Sequence, residues 1–156
     1  LNFFSILLVG GLMEEEELLQ HIYQDAAMGK YTLEVLTKDL KEKDNKLKGA
    51  IEDILKEYES FFKTSKNYLL EKKKEPKEKN ILAKMGASMG IHKEVKSDNS
   101  DASIAEMLIQ GISMGSLEME KKLKAYDKEI DKKYQKLTDD FLTFQQNAIE
   151  KLKAYL

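Results

Sequence analysis

Pro76 is the only proline in a chain of 156 residues. Proline removes a backbone donor and clashes with the preceding helical turn, so its absence elsewhere leaves long stretches free to be helical. Four of those stretches carry apolar residues at heptad spacing. The first, about 14–42, aligns Leu19, Ile22, Ala26, Gly29, Leu33, Leu36 and Leu40 on one seam. A polar turn at 42–45 leads to a second, about 46–72, with Leu47, Ile51, Ile54, Tyr58, Phe61, Ser65 and Tyr68, widened by Leu55, Phe62 and Leu69. The third, about 102–126, uses Ala105, Leu108, Ile112, Gly115, Met119 and Tyr126. The fourth, about 131–156, uses Tyr134, Thr138, Phe141, Gln145, Ala148, Leu152 and Tyr155. Each spans roughly 40 Å at about 1.5 Å per residue. Short loops make the first antiparallel to the second and the third antiparallel to the fourth. The expected fold is all-α, an antiparallel four-helix bundle, with residues 13–156 forming one domain.

The two hairpins read as copies of one another. QDAAMGKYTLEV from Gln24 parallels QGISMGSLEMEK from Gln110, so that Gln24, Met28, Gly29 and Glu34 pair with Gln110, Met114, Gly115 and Glu120. Leu55 then pairs with Leu142, and Tyr68-Leu69 with Tyr155-Leu156. Such an internal repeat points to duplication of a helical hairpin. A long connection, about 70–101, joins the halves, and its middle, Ile81 to Val95, suits a short amphipathic helix using Ile81, Leu82, Met85, Met89 and Ile91. Helix ends are also marked. Glu14 to Glu17 would complement the dipole at the start of the first helix, and Ser103 with Glu106 would form a capping box for the third.

Composition removes several functions. Cysteine is absent, so thiolate metal sites, disulfides and cysteine nucleophiles are excluded. All 26 positive side chains are lysine. Arginine is the preferred fork for phosphate and guanine, so nucleic acid is not an expected partner. An AT-rich bacterial genome accounts for the lysine bias. The stretch 63–84 holds eight lysines against three acids, and its one aromatic, Tyr68, belongs to the apolar seam and is not free to stack on bases, so the stretch reads as a solvated linker. A membrane-surface role is likewise not favoured. The apolar residues 1–12, LNFFSILLVGGL, are too short to span a bilayer and lack a basic leader. Met13 opens a plausible start, MEEEELL, so residues 1–12 are read as a non-native or upstream strip. If ordered, that strip must bury itself against the bundle or a second subunit.

The repeated QxxxMG segments, including IAEMLIQGISMG, and the long crossover make residues 13–156 resemble uncharacterised ferritin-like four-helix-bundle families of Gram-positive bacteria. That resemblance implies a fold more than an activity. Ferritin-like di-iron proteins aim glutamates and Glu-x-x-His pairs inward. Here His21 and His92 do not follow a glutamate at that spacing, and the seams are uncharged. Were iron or manganese bound, the candidate ligands would be Glu17, His21, Glu52, Glu106 and Asp139. The repeated glycines, Gly29 and Gly115, are assigned to close packing of the first and third helices near Ala26 and Ser113. Met28 and Met114 are read as adaptable filler, and Gln24 and Gln110 as polar groups at the bundle boundary.

No phosphate-binding GxxxxGK[ST], HExxH or EF-hand loop is present. GASMG at 86–90 has the outline of a nucleophile elbow around Ser88 but lacks the strand that makes one. The sequence therefore points to a non-enzymatic binding or structural module. It would be cytoplasmic, bacterial and without a cofactor, working as a homo-oligomer or with a protein partner. The alternative is a ferritin-like protein handling iron or oxygen.

Overall fold

The computed structural model describes residues 3–78, 81–126 and 130–156, and the side chains of 1–12, 79–85, 87 and 94 lie outside that description. The described chain is all-helical. Its helices are α1 (Phe3–Asp39), α2 (Lys48–Glu71), α3 (Ile81–Ser97), α4 (Asp101–Ala125) and α5 (Lys132–Lys153). The seams sit where the apolar periodicity places them, since burying such a stripe is the main gain of an amphipathic helix. Leu19, Ile22, Ala26, Leu33, Leu36 and Leu40 of the first segment are buried against Leu47, Ile51, Ile54 and Tyr58 of the second. On α5, Thr138, Phe141, Gln145, Ala148 and Leu152 are all buried. Aromatic rings join α2 to α5, with Phe61 and Phe141 edge-on at 5.0 Å and Tyr68 and Tyr134 at 5.6 Å.

Helix α1 packs against all four others, α2 and α4 each flank α5, and α3 lies over α1 and α4. Contacts between α1 and α4 run in reverse order. Lys122 reaches Glu17 at 2.7 Å, Asp25 lies on Gly115, and Asn45, just beyond α1, bonds Asp101 at 2.9 Å. Contacts between α2 and α5 reverse in the same way, from Glu71 with Lys133 at 2.8 Å to Asp53 with Lys151 at 3.1 Å.

Several helix ends differ from the sequence reading. Helix α1 begins at Phe3, upstream of Met13, so Glu14 to Glu17 lie inside the helix and not at its positive end. Their partners are distant residues. Glu15 is buried; its Oε1 accepts from Lys72 Nζ at 2.7 Å and its Oε2 from the Asp131 backbone N–H at 2.8 Å. One carboxylate thus ties α1 to the last turn of α2 and to the N-cap of α5. Any burial of the strip 1–12 falls on side chains outside the description. The N-cap of α4 is Ser100, whose hydroxyl accepts from Ser103 N–H at 3.2 Å, so Ser103 is inside the first turn. Helix α2 ends in a Schellman turn: Lys73 has φ 58°, and Lys74 N–H reaches Leu69 C=O at 2.9 Å.

The crossover holds α3, and its buried contacts are Ile91 and Val95, whereas Met89 is exposed. Ile81, Leu82 and Met85 lie outside the description. Lys63 and Lys66 are on α2, not in a linker. The crossover is pinned to α1 at both ends. Gln20 donates to Glu75 C=O at 2.8 Å and accepts from Lys77 N–H at 3.0 Å, while Asp39 contacts His92 Nδ1 at 2.6 Å.

Candidate functional site

Two helical glycines shape the interior. A methyl group on Gly29 would lie 2.8 Å from ring carbons of Tyr58, so that ring rests on bare backbone of α1. A methyl on Gly115 would meet the Asp25 carboxylate, 2.8 Å from its Cγ. Glycine in mid-helix costs about 0.5–1 kcal/mol relative to alanine, and each close approach requires it. Gly115 does sit between α1 and α4. Gly29 instead faces α2, which differs from the packing expected of the repeat.

The side chains these glycines admit belong to one polar network. Gln145 on α5 is fully buried and donates through Nε2 to Asp25 Oδ2 at 2.8 Å. His21, one turn before Asp25, places Nε2 3.9 Å from the same oxygen. Asp25 is 20 % exposed and His21 9 %, so the apparently off-seam face of α1 is drawn inward here. A half-buried carboxylate needs hydrogen bonds to offset its lost hydration, and Gln145 supplies one. Burial pushes the Tyr58 hydroxyl far above its ordinary value, the Asp25 charge adds to that, and the Gln145 side chain opposes it. Tyr58 therefore remains a neutral phenol. Gln145 Oε1 is buried with no hydrogen-bond partner.

Beside the network is a cleft of about 390 Å³ between α1, α3 and α4, with Tyr58 of α2 in its lining. Leu33, Ile91, Leu108 and Ile112 make its apolar walls, and Met28 and Met107 edge it. Among the described residues Asp25 is the only charged one that lines it. Gly90 and Gly111 also line it, and a Cβ added at either meets no atom within 4 Å. Unlike Gly29 and Gly115, these two leave bare helix backbone next to open space.

The candidate metal ligands are not gathered. Glu17 is exposed, paired with Lys122 at 2.7 Å, and the hydrogen bond from that ammonium holds its carboxyl below the usual range. His21 follows it one turn later, within the Asp25 network. Glu52 on α2, Glu106 on α4 and Asp139 on α5 are all exposed. Each is the immediate neighbour of a buried residue (Ile51, Ala105 and Thr138) and so turns about 100° away from the core. Among the described residues no three histidine, aspartate or glutamate side chains converge as a metal site.

The repeated residues occupy unlike surroundings. Met28 edges the cleft and Met114 is 68 % exposed. Gln24 is half-buried and Gln110 exposed. Sequence reasoning did not single out Asp25, Tyr58, Gly90 or Gly111 as one constellation. The available signal was glycine in mid-helix, since Gly111 directly follows Gln110 in IAEMLIQGISMG. Comparison of the chain with family models, with curated proteins and with solved structures found no match.

Proposed function

We propose that this chain is a non-enzymatic, cytoplasmic bacterial binding module whose seat is the cleft between α1, α3 and α4. The frame in this reading is an antiparallel, ferritin-like four-helix bundle made by duplicating a hairpin. Supporting the frame are the reversed contact order of α1 with α4 and of α2 with α5, and the position of α3 across the long connection. Supporting the duplication are Gly29 and Gly115, which each admit a side chain of the same network. Self-association belongs to the same proposal. Met114 and Leu117 are exposed on α4, and a monomer by light scattering at every concentration would remove that part.

The observation that carries the binding reading is the cleft itself, apolar, about 390 Å³ and floored partly by bare backbone at Gly90 and Gly111. Small-molecule sites have this size and this mixture of apolar wall and few polar groups. A leucine at Gly111 would enter open space and also suit the helix better than glycine. Nile red, an uncharged probe that brightens in apolar surroundings, tests the seat. The wild-type protein should brighten it, and Gly111→Leu should abolish the signal while melting no lower. A signal unchanged by Gly111→Leu would place binding elsewhere. The iron or manganese alternative would need Glu17, His21, Glu52, Glu106 and Asp139 to converge, and among the described residues they do not.

A further inference from the structure

We infer that a second copy of this chain docks antiparallel along α4, on a stripe of Met107, Gln110, Met114, Leu117 and Lys121. This rests on the chain self-associating and adds the surface, the direction and the link to the cleft. The stripe residues alternate three and four apart, the spacing that keeps one narrow line of a helix facing a partner helix. The inward face of α4 is already filled by Leu108, Ile112, Ser116 and Met119, all buried. The stripe turns away from them. Met114 is 68 % and Leu117 52 % exposed, Gln110 and Lys121 are exposed, and Met107 is half-buried. Single exposed apolar residues are ordinary. Three in heptad register make a second seam on a helix whose first seam is complete.

Charge selects the occupant and its direction. Glu106 flanks the stripe at its start, and Lys121 and Lys124 stand at its end. All three are exposed, and none pairs with another described residue. An apolar middle with an acid at one end and bases at the other complements itself when turned end for end. A parallel copy would set Glu106 on Glu106 and Lys121 on Lys121, and such like-charge pairs repel. An antiparallel copy sets Met114 against Leu117 and brings Glu106 to Lys121 and Lys124, twice over because the pairing is two-fold. The same helix borders the cleft, which both Met107 and Gly111 line. Gly111 is exposed and a Cβ there would meet nothing within 4 Å, so a partner helix can come close to its backbone. Leu117 of the second copy, falling between Gly111 and Met114, then covers the cleft beside Gly111. The stripe runs for only about four turns, so the interface is small and the dimer belongs to the weak, exchanging class.

Sedimentation equilibrium of the full chain tests this. The wild-type protein should pass from monomer to dimer through the micromolar range. Leu117→Lys should weaken the dimer about a hundredfold, because each pair loses two leucines from its seam. Leu117 is exposed in the single chain, so this variant should melt no lower than wild type at concentrations where both are monomers. Glu106→Lys and Lys121→Glu should each weaken the dimer about tenfold, and the double variant should return to within about threefold of wild type. Rescue by the double variant is the expected mark of antiparallel pairing. A dimer indifferent to Leu117→Lys, single reversals without loss, or a double variant without rescue overturns the inference and leaves self-association to another surface. A wild-type chain that stays monomeric at every concentration removes self-association as well. Nile red binding, read on the monomer, stands or falls separately.

Discussion

Gln145 on α5 donates to Asp25 on α1 at 2.8 Å, a hydrogen bond that joins residues 120 positions apart. It fixes a fully buried amide against a mostly buried carboxylate, so removing the donor leaves the charge under-solvated. Gln145→Leu should cost about 2 kcal/mol in urea denaturation, in the range for hydrogen bonds to charged groups. In an Asp25→Asn background the same change should cost less than about 1 kcal/mol, because no charge is then stranded. Equal losses in both backgrounds would show that the pair is not energetically coupled.

Alanine substitutions at two glycines of α4, one helical turn apart, should have opposite signs. Gly115→Ala drives a methyl into the Asp25 carboxylate, and overpacking of this kind costs about 1–3 kcal/mol. Gly111→Ala meets no atom within 4 Å and should gain about 0.5–1 kcal/mol from helix propensity alone. Gly29→Ala should also destabilise, because the Tyr58 ring it meets is held by Phe144 at 4.8 Å and cannot easily retreat. Thermal melts should show Gly111→Ala raised by about 2–4 °C and the other two lowered. A stabilised Gly115→Ala would mean Asp25 does not occupy that space.

The contrast between seams and site shows where local pattern stops being informative. Leu33, Leu36, Leu40, Ile51 and Ile54 were legible because burial of a helix face repeats every three to four residues, a property of the local sequence. The start of α1 was not legible, because Glu14 to Glu17 look like a dipole complement until their partners are known. Those partners include Lys72, Lys122 and the N–H of Asp131, all remote in the chain. Asp25 falls outside the apolar seam of the first helix in heptad register. Its inward place depends on a missing side chain at Gly115 and an amide at Gln145, each on a different helix. The cleft was not legible, because the open space beside Gly111 is enclosed by helices far apart in the chain.

Two glutamates of α1 only two positions apart should respond very differently to truncation. Glu15 is buried and holds both Lys72 Nζ and the Asp131 N–H, so Glu15→Ala leaves a cation and a backbone donor without their acceptor. Breaking a buried pair in this way should cost about 3 kcal/mol. Glu17 is half exposed and its pair with Lys122 is screened by water, so Glu17→Ala should change stability by less than about 0.5 kcal/mol. Urea midpoints for the two variants decide this. Similar midpoints would show that Glu15 is not the joint between α1, α2 and α5.

Tyr23 gives the fold an alkaline limit. Its hydroxyl donates to Glu78 Oε1 at 3.1 Å and so ties the start of the crossover to α1. Burial, and then the Glu78 charge, push that hydroxyl up to about 12, against about 10 for an unfolded tyrosine. The folded state thus favours the neutral phenol. Its contribution is complete below pH 10 and is lost as the pH climbs from 10 through about 12. Urea midpoints should fall across that window, and Tyr23→Phe, which cannot ionise, should fall less steeply. Tyr58 and Tyr126 are raised further by burial, so phenolate absorbance should show Tyr23 as the first of these three to titrate. Parallel slopes for the wild-type and Tyr23→Phe proteins between pH 10 and 12 would remove Tyr23 from this role.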